Sequence, residues 1–429
     1  MRRRIVSVIV VCGVLIATAS LLAACTVPVA SGVELVPSGT PAKAASGARP
    51  TEAFVSSVDA FGIDLLRATR AAAGPSDNVI VSPASVDAAL AMTANGATGE
   101  TADQMRKVLH TSSMSPADSN AQWAALLAAL ESRDSAQTLA IANALFARKD
   151  IAFKQPFLSS DRDSFGAQIS TLDFAKDDVP GIINAWVSKN TRGMITKMVD
   201  QTPSNAILYL ANAVYFKGEW VTPFDHESTQ KQAFTKADRS DVQVDMMYSS
   251  GSMPYAQNAS LQATKLVYQG LDASFYVMLP RKGVSVDAAL ASLAGTGFSD
   301  LRATMMSPDT TEVVLELPKL DTEFGATLNG PLSSMGMPLA FDDQRAQFGG
   351  MAELDVPIYI GRVIHKTKVK VDEKGTEAAA ATVVEMGVGA AAPAVEPLRI
   401  ICDRPYLFAI VDEKSGAMLF LGTVNDPTK

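Results

Sequence analysis

The order of the apolar patterns predicts an α+β fold for this chain of 429 residues. Helix-length patterns with legible ends fill the first half, while separate strand-like runs dominate the second. No self-similar repeat and no regular strand–helix alternation connects them, which sets aside solenoids, propellers and doubly wound parallel sheets. With 48% hydrophobic and 19% charged residues, the composition is that of a folded globular body.

The chain opens on Arg2, Arg3 and Arg4, runs through an almost wholly apolar stretch from Ile5 to Leu22, and reaches Leu22-Ala23-Ala24-Cys25. That pattern marks residues 1–25 as a targeting segment rather than fold, with a retained membrane helix as the alternative. The tetrapeptide resembles the lipobox of bacterial lipoproteins, which implies a lipoprotein signal peptide and a diacylated Cys25 at the mature N-terminus. Two acyl chains hold a protein stably at a membrane surface, so the expectation is a lipid-anchored protein of the cell envelope facing outside the cytoplasm. Residues 26–50 contain four prolines, three glycines and three serines without a period, and read as a flexible tether. Such a tether reaches roughly 25–30 Å. The folded body, residues 51–429, begins near Thr51. With Cys12 removed and Cys25 acylated, Cys402 has no partner within the chain and is expected as a free thiol.

Within the body, Ser82-Pro83 supplies an N-cap and a first-turn proline for the helix former ASVDAALAMTA, which Gly96 ends. Thr101 and Gln104 make a capping box ahead of Met105, Val108 and Leu109. Ser115-Pro116 opens a helix through AQWAALLAALES, and Pro180 opens another through IINAWVSKN, closed by Gly193. Strands follow from β-branched and aromatic content: ALFARKD after Asn143, residues 207–216, 274–280, 312–320 and 368–373. The tail PYLFAIVDEKSGAMLFLG reads as a hairpin turning at Glu413-Lys414-Ser415-Gly416.

One segment fits no ordinary fold. From Gly375 to Pro397 there are eight alanines, three glycines, no basic residue and no aromatic. A loop of that length in a compact domain is functional or disordered. Because it follows directly on a clear strand and contains Thr382-Val383-Val384, it reads as a segment able to become a strand.

At this point the residues resemble the serpin family, over Phe61 to Thr423. Four motifs carry the resemblance: NVIVSPASVDAALAMTANGATGETADQM (78–105), INAWVSKNTRGMI (183–195), LANAVYFKGEWVTPF (210–224) and HKTKVKVDEKGTEAAAATVV (365–384), the last followed by DRPYLFAI and GTVNDP. It implies three β-sheets, eight to nine helices and an exposed reactive-centre loop at about 374–397. In that family a target serine protease cuts the loop and forms an acyl-enzyme, whereupon the loop inserts into the main sheet and the protease loses its catalytic geometry. The expected partner is therefore a serine protease held in a covalent acyl complex, and the protein itself is a monomer and not an enzyme.

Insertion makes a demand that the sequence can meet or fail. Alternate residues of an entering strand face the core, so that set must be small and uncharged. The hinge comprises Gly375, Thr376, Glu377, Ala378, Ala379, Ala380, Ala381 and Thr382. Counted from Thr376, the inward set is Thr376, Ala378, Ala380 and Thr382, which leaves the charge of Glu377 in water.

Further positions follow from the resemblance. Ser82, Ser85, Asn212 and His365 match a polar cluster where the main sheet parts, although Ser82 also serves as a helix cap and His365 as a satisfied core histidine. Trp220, Lys319 and Glu373 match the point where the loop enters, the last two as an ion pair. Phe341, Phe348 and Gly350 match a packing region before the loop. Family spacing from Glu373 gives Gly389-Ala390 as the reactive bond, within a window from Met386 to Ala392 because the interval to Pro405 is some five residues longer than is common in the family. With no basic residue from Gly375 to Pro397, the acidic pocket of a trypsin-like protease has nothing to bind, which leaves elastase-like or subtilisin-like targets.

Other functions are excluded or kept as rivals. A formal charge of −8, or −11 once the three leader arginines are gone, argues against nucleic acid as a partner. Three scattered cysteines and three histidines give no metal-ligand spacing, so neither a metal nor another cofactor is expected. No G-x-S-x-G, H-E-x-x-H or Walker A string occurs, and His226-Glu227 lacks a second histidine. A non-inhibitory serpin acting as a binding or carrier protein is the alternative.

Overall fold

A computed structural model describes residues 33–36, 48–131, 137–201, 206–270, 272–376 and 396–429. The leader with Cys25, the hinge from Glu377 to Thr382 and the bond window from Met386 to Ala392 lie outside the described residues.

In chain order the elements are β1 (Val33–Val36), α1 (Glu52–Ala72), β2 (Val79–Val81), α2 (Pro83–Ala94), α3 (Gly99–Val108), α4 (Pro116–Glu131), β3 (Gln137–Arg148), α5 (Gln155–Phe165), β4 (Gln168–Leu172), α6 (Val179–Asn190) and β5 (Leu208–Glu219). A strand-rich stretch follows with β6 (Gln230–Thr235), β7 (Asp241–Met253), β8 (Tyr255–Gln257), β9 (Leu261–Val267), β10 (Ala273–Pro280), α7 (Val286–Ala291), α8 (Gly297–Met306), β11 (Thr311–Pro318), β12 (Leu320–Thr327) and α9 (Asn329–Met335). The chain finishes with β13 (Ile364–Asp372), β14 (Gly375–Thr376), β15 (Leu398–Ile401), β16 (Tyr406–Asp412) and β17 (Met418–Val424). The described residues thus hold nine α-helices and three sheets, the expected α+β architecture.

The main sheet runs β1-β4-β3-β5-β14-β13-β12; a second runs β2-β17-β16-β10-β9-β8 and a third β15-β11-β7-β6. The second sheet supplies much of the core, because β10, β16 and β17 are buried on both faces and accordingly read as continuous apolar runs. Helix α2 lies beneath the main sheet, its residues from Pro83 to Thr93 almost all buried. Helix α6 covers the outer face, where Ile183 and Val187 pack on Phe146, Ala211 and Ala213. Outer and inner faces of β5 and β13 are therefore distinct environments.

Local signals mostly act as the sequence proposes. Thr51 caps α1 by accepting the Phe54 N–H, and the Ser115 hydroxyl accepts the Asp118 N–H at the start of α4. The capping box is a correction: α3 begins at Gly99, two residues before Thr101. Tertiary partners have taken both side chains, the Thr101 hydroxyl accepting from Gln347 N and Gln104 Oε1 from Leu339 N. A second correction concerns the tether, because residues 33–36 pair antiparallel with β4 at the edge of the main sheet. Val-Glu-Leu-Val is strand-capable, and an open sheet edge offers it a row of unpaired backbone groups. Phe348 is buried, and Gly350 packs against Gly96, donating its N–H to the Gly96 carbonyl at 3.1 Å.

Candidate functional site

The main sheet is parted between β5 and β13. Strand β3 pairs with β5 along its length, from Gln137↔Gly218 to Ala147↔Leu208, and β12 pairs with β13 from Ile364 to Val371. Among the described residues, however, only Gly375 and Thr376 stand between β5 and β13, paired with Glu219 and Gly218 on one side and with Asp372 and Val371 on the other. The start of the expected hinge therefore already occupies a strand position at the top of a slot.

Aromatic packing seats those two residues. The Trp220 ring stacks on Tyr268 with centroids 4.5 Å apart, and both side chains are fully buried. The Tyr268 hydroxyl meets the Thr376 hydroxyl at 2.6 Å, so Thr376 faces the core. Close approach requires glycine on both sides: a Cβ at Gly218 would lie 2.7 Å from the Tyr268 ring, and one at Gly375 would collide with the Gly218 carbonyl. Trp220 also holds the turn before the slot, donating Nε1–H to the Asp372 carbonyl and its backbone N–H to that of Lys374.

Glu373 anchors the same turn. Its Oε1 lies 2.7 Å from Lys319 Nζ, 2.9 Å from the Thr229 hydroxyl and 3.0 Å from His226 Nδ1. Burial alone would raise its pKa, but the hydrogen bonds from Lys319, His226 and Thr229 outweigh that cost and hold it down at about 2. The carboxylate is thus ionised across the physiological range.

The four residues expected to form a polar cluster do converge, halfway down the slot. On the β13 side, Ser82 N donates to His365 Nε2 at 3.1 Å; on the β5 side, the Ser85 hydroxyl donates to Asn212 Oδ1. Asn212 donates to Asn143 Oδ1 at 2.6 Å, and Asn143 to the Phe165 carbonyl at 2.9 Å. The N-terminus of α2 therefore spans the gap, holding β13 through Ser82 and β5 through Ser85. Ser82 sits at the N-cap position, yet its hydroxyl donates to the Leu419 carbonyl instead of capping. Complete burial pushes His365 down to about 4, and its acceptor role requires the neutral ring.

Below the cluster the slot opens into a cavity of about 460 Å³, lined by Leu208 and Leu210 of β5, Val363 just before β13, Ile364 at its start, and Met198 and Val356. Cys402, the residue expected as a free thiol, is buried and free, and burial pushes its pKa up, away from reactivity.

Four residues of this site escape sequence reasoning: Tyr268, Thr229, His226 and Asn143. Asn143 stands beside a strand run and His226 in an apparent His-Glu pair, but nothing local points to their partners. Tyr268 reaches Thr376 across 108 residues of sequence, and Asn212 reaches Asn143 across 69.

A three-sheet α+β body whose main sheet is split by the first residues of its own loop defines a narrow class of protein. The family model for serpins, described as serine protease inhibitors, matches residues 56–427. The chain belongs to the serpin family. It is 32% identical over 376 residues to the leukocyte elastase inhibitor of Sus scrofa, spanning 86% of this chain and 97% of that protein. It is similar to the crystal structure of tengpin, a thermophilic serpin, in the native state, with a TM-score of 0.79, 32% identity, and 88% and 95% of the two chains covered. It is also similar to thyroxine-binding globulin in complex with thyroxine, with a TM-score of 0.75, 25% identity, and 87% and 99% covered.

Proposed function

We propose that the protein is a suicide-substrate inhibitor of elastase-like or subtilisin-like serine proteases. A protease serine Oγ attacks a loop carbonyl between Met386 and Ala392, with Gly389-Ala390 the first choice. The C–N bond breaks, the amine leaves with a proton, and the N-terminal half of the loop stays joined to the protease as an ester. That half enters the slot before water can cleave the ester. From Thr376 to Gly389 is fourteen residues, which at ~3.3 Å each carries the tethered protease roughly 45 Å.

The carrying observation is the register at the top of the slot. Thr376 stands opposite Gly218 and Val371, facing the core. Continued downward in the same register, Thr382 meets Asn212 and His365, so a hydroxyl arrives between the two halves of the polar cluster. Val384 and Met386 then fall beside the cavity's apolar walls. Small or apolar side chains thus match every inward position. The likeness to an elastase inhibitor and the absence of basic loop residues support the choice of protease.

The lipobox-like tetrapeptide supports a diacyl anchor at Cys25, a monomer held at the cell envelope and presenting its loop outside the cytoplasm. The likeness to thyroxine-binding globulin keeps a carrier role as the alternative. Incubation with an elastase, a subtilisin and a trypsin tests the proposal. The expected result is an SDS-resistant complex with one of the first two and a cut mapped by mass inside the window. Cleavage with no complex would leave the carrier reading standing.

A further inference from the structure

We infer that Lys217, Lys370 and Arg362 form a basic track on the outer face of the main sheet that fixes the register of the incoming loop by receiving its two glutamates. The inference rests on the insertion reading above and names the residues that would steer it.

On β13, His365, Thr367, Val369 and Val371 are buried while Lys366, Lys368 and Lys370 point outward. On β5, Gly218 faces Tyr268 beneath the sheet, so Lys217 lies on the opposite, outer face. In an inserted loop that keeps the register of Gly375 and Thr376, the next residue would stand opposite Lys217 on one side and Lys370 on the other. That residue is Glu377, which alternation from the inward Thr376 would turn outward. Eight residues on, the same register would bring Glu385, again outward, opposite Tyr209 and Arg362. Glu377 and Glu385 are the only charged residues between Thr376 and Val395.

The basic residues differ in what already occupies them. Lys366 donates to the Lys197 carbonyl and Lys368 lies 4.0 Å from Asp321. No ion pair among the described residues involves Lys217 or Lys370, the two that the register selects. Arg362 is exposed, with Asp200 in its electrostatic reach.

Alternation of small residues forbids a slip by one, because that would turn both carboxylates under the sheet. It does not forbid a slip by two. Such a slip would move Glu377 from Lys217 and Lys370 to Tyr215 and Lys368, beside a lysine already near Asp321, so the charges discriminate where side-chain size cannot.

The test compares the parent with Lys217→Glu/Lys370→Glu and with the same pair plus Glu377→Lys, measuring the moles of inhibitor consumed per mole of elastase or subtilisin trapped at 0.05 M and 1 M NaCl. Exposed cross-strand pairs are individually weak, so the double variant is expected to consume about three- to tenfold more inhibitor at low salt. High salt should narrow that gap and Glu377→Lys should restore trapping towards the parent. Lys217→Gln/Lys370→Gln, which adds no repulsion, should show a smaller loss in the same direction. Parental trapping by both double variants, or no rescue by Glu377→Lys, overturns the track while leaving insertion intact. A parent that is cut without trapping and without a gain in melting temperature overturns the insertion reading, and the track with it.

Discussion

Replacing Thr376 with arginine tests the slot where it is already occupied. Thr376 is 3% exposed, pressed beneath the sheet beside Trp220 and Tyr268, with its hydroxyl 2.6 Å from that of Tyr268. An arginine must either bury an unpaired guanidinium there, at about 3–5 kcal/mol, or leave the slot and surrender the pairing of Gly375 and Thr376 to both neighbours. Each 1.4 kcal/mol is tenfold, so insertion should slow by about 10²–10³ or more, while the bond offered to the protease is unaltered. Hydrolysis of the acyl ester then wins the competition, and the inhibitor becomes a substrate. Two milder changes grade the effect. Thr376→Ser keeps the hydroxyl and should trap nearly as well as the parent, whereas Thr376→Val strands the Tyr268 hydroxyl at about 1–3 kcal/mol and should trap partially. Titration of a fixed amount of protease, read as SDS-resistant complex against cleaved inhibitor, separates these outcomes. An arginine variant that traps at parental stoichiometry would refute the reasoning, since no insertion path could then run through this position.

Other outcomes follow from the same geometry. Cutting the loop anywhere from Met386 to Ala392 should raise the melting temperature by tens of degrees, because the new central strand gains ladder hydrogen bonds on both edges; a nicked protein that melts with the intact one would remove insertion as the mechanism. Lys319→Ala should lower the melting temperature of the intact form by several degrees at neutral pH, through the loss of a charged hydrogen bond to Glu373 of about 1.5–3 kcal/mol, and the difference should shrink as pH falls from 4.5 towards 2 and the carboxylate is protonated. His365 titrates in a separate window. Its folded pKa of about 4 lies below the usual 6.5, so it contributes stability above pH 6.5 that is lost as pH falls towards 4, up to about 3 kcal/mol, and His365→Gln should flatten that part of the profile. Cys25→Ser should move the protein from membrane to soluble fractions; unchanged partitioning would exclude the diacyl anchor.

The sequence carries the fold more plainly than the site. Helix α2 and the β16–β17 hairpin are legible because their signals are local: a proline in a first helical turn, and two apolar runs around Glu413-Lys414-Ser415-Gly416. Thr101 shows the limit of such signals, since a threonine and glutamine at capping spacing serve just as well as acceptors for Gln347 and Leu339. The same applies to residues 33–36, where proline and glycine nearby argue for a tether but the edge of β4 supplies a partner that no local pattern announces. Within the site, the inward parity of Thr376 is readable from alternation alone. Its seat on Tyr268 is not, because that contact joins segments whose proximity exists only after the second sheet has folded against the main one.

On the proposed mechanism, the slot accounts for a chain that holds a state that is stable but not its most stable. At its top, Trp220, Tyr268 and Glu373 close the gap with polar and aromatic contacts that are fully satisfied. At its middle, the N-terminus of α2 serves both banks at once, giving the Ser82 N–H to His365 and the Ser85 hydroxyl to Asn212. At its bottom, among the described residues, nothing comparable closes the cavity of about 460 Å³. A sealed apolar void of that volume would cost on the order of 10 kcal/mol at about 24 cal/mol per Å³, as much as the whole stability of a typical domain. The cost here is smaller, because Val356 at the cavity wall is 66% exposed and the space communicates with solvent. On the proposed mechanism, even a fraction of it, added to the ladder hydrogen bonds that a strand between β5 and β13 would gain, would favour one event, the arrival of a strand whose inward residues would be Thr382, Val384 and Met386. In that register the polar cluster above would set the order of arrival: Ala378 and Ala380 would pass before Thr382 reached Asn212 and His365, and only then would the larger side chains reach the void.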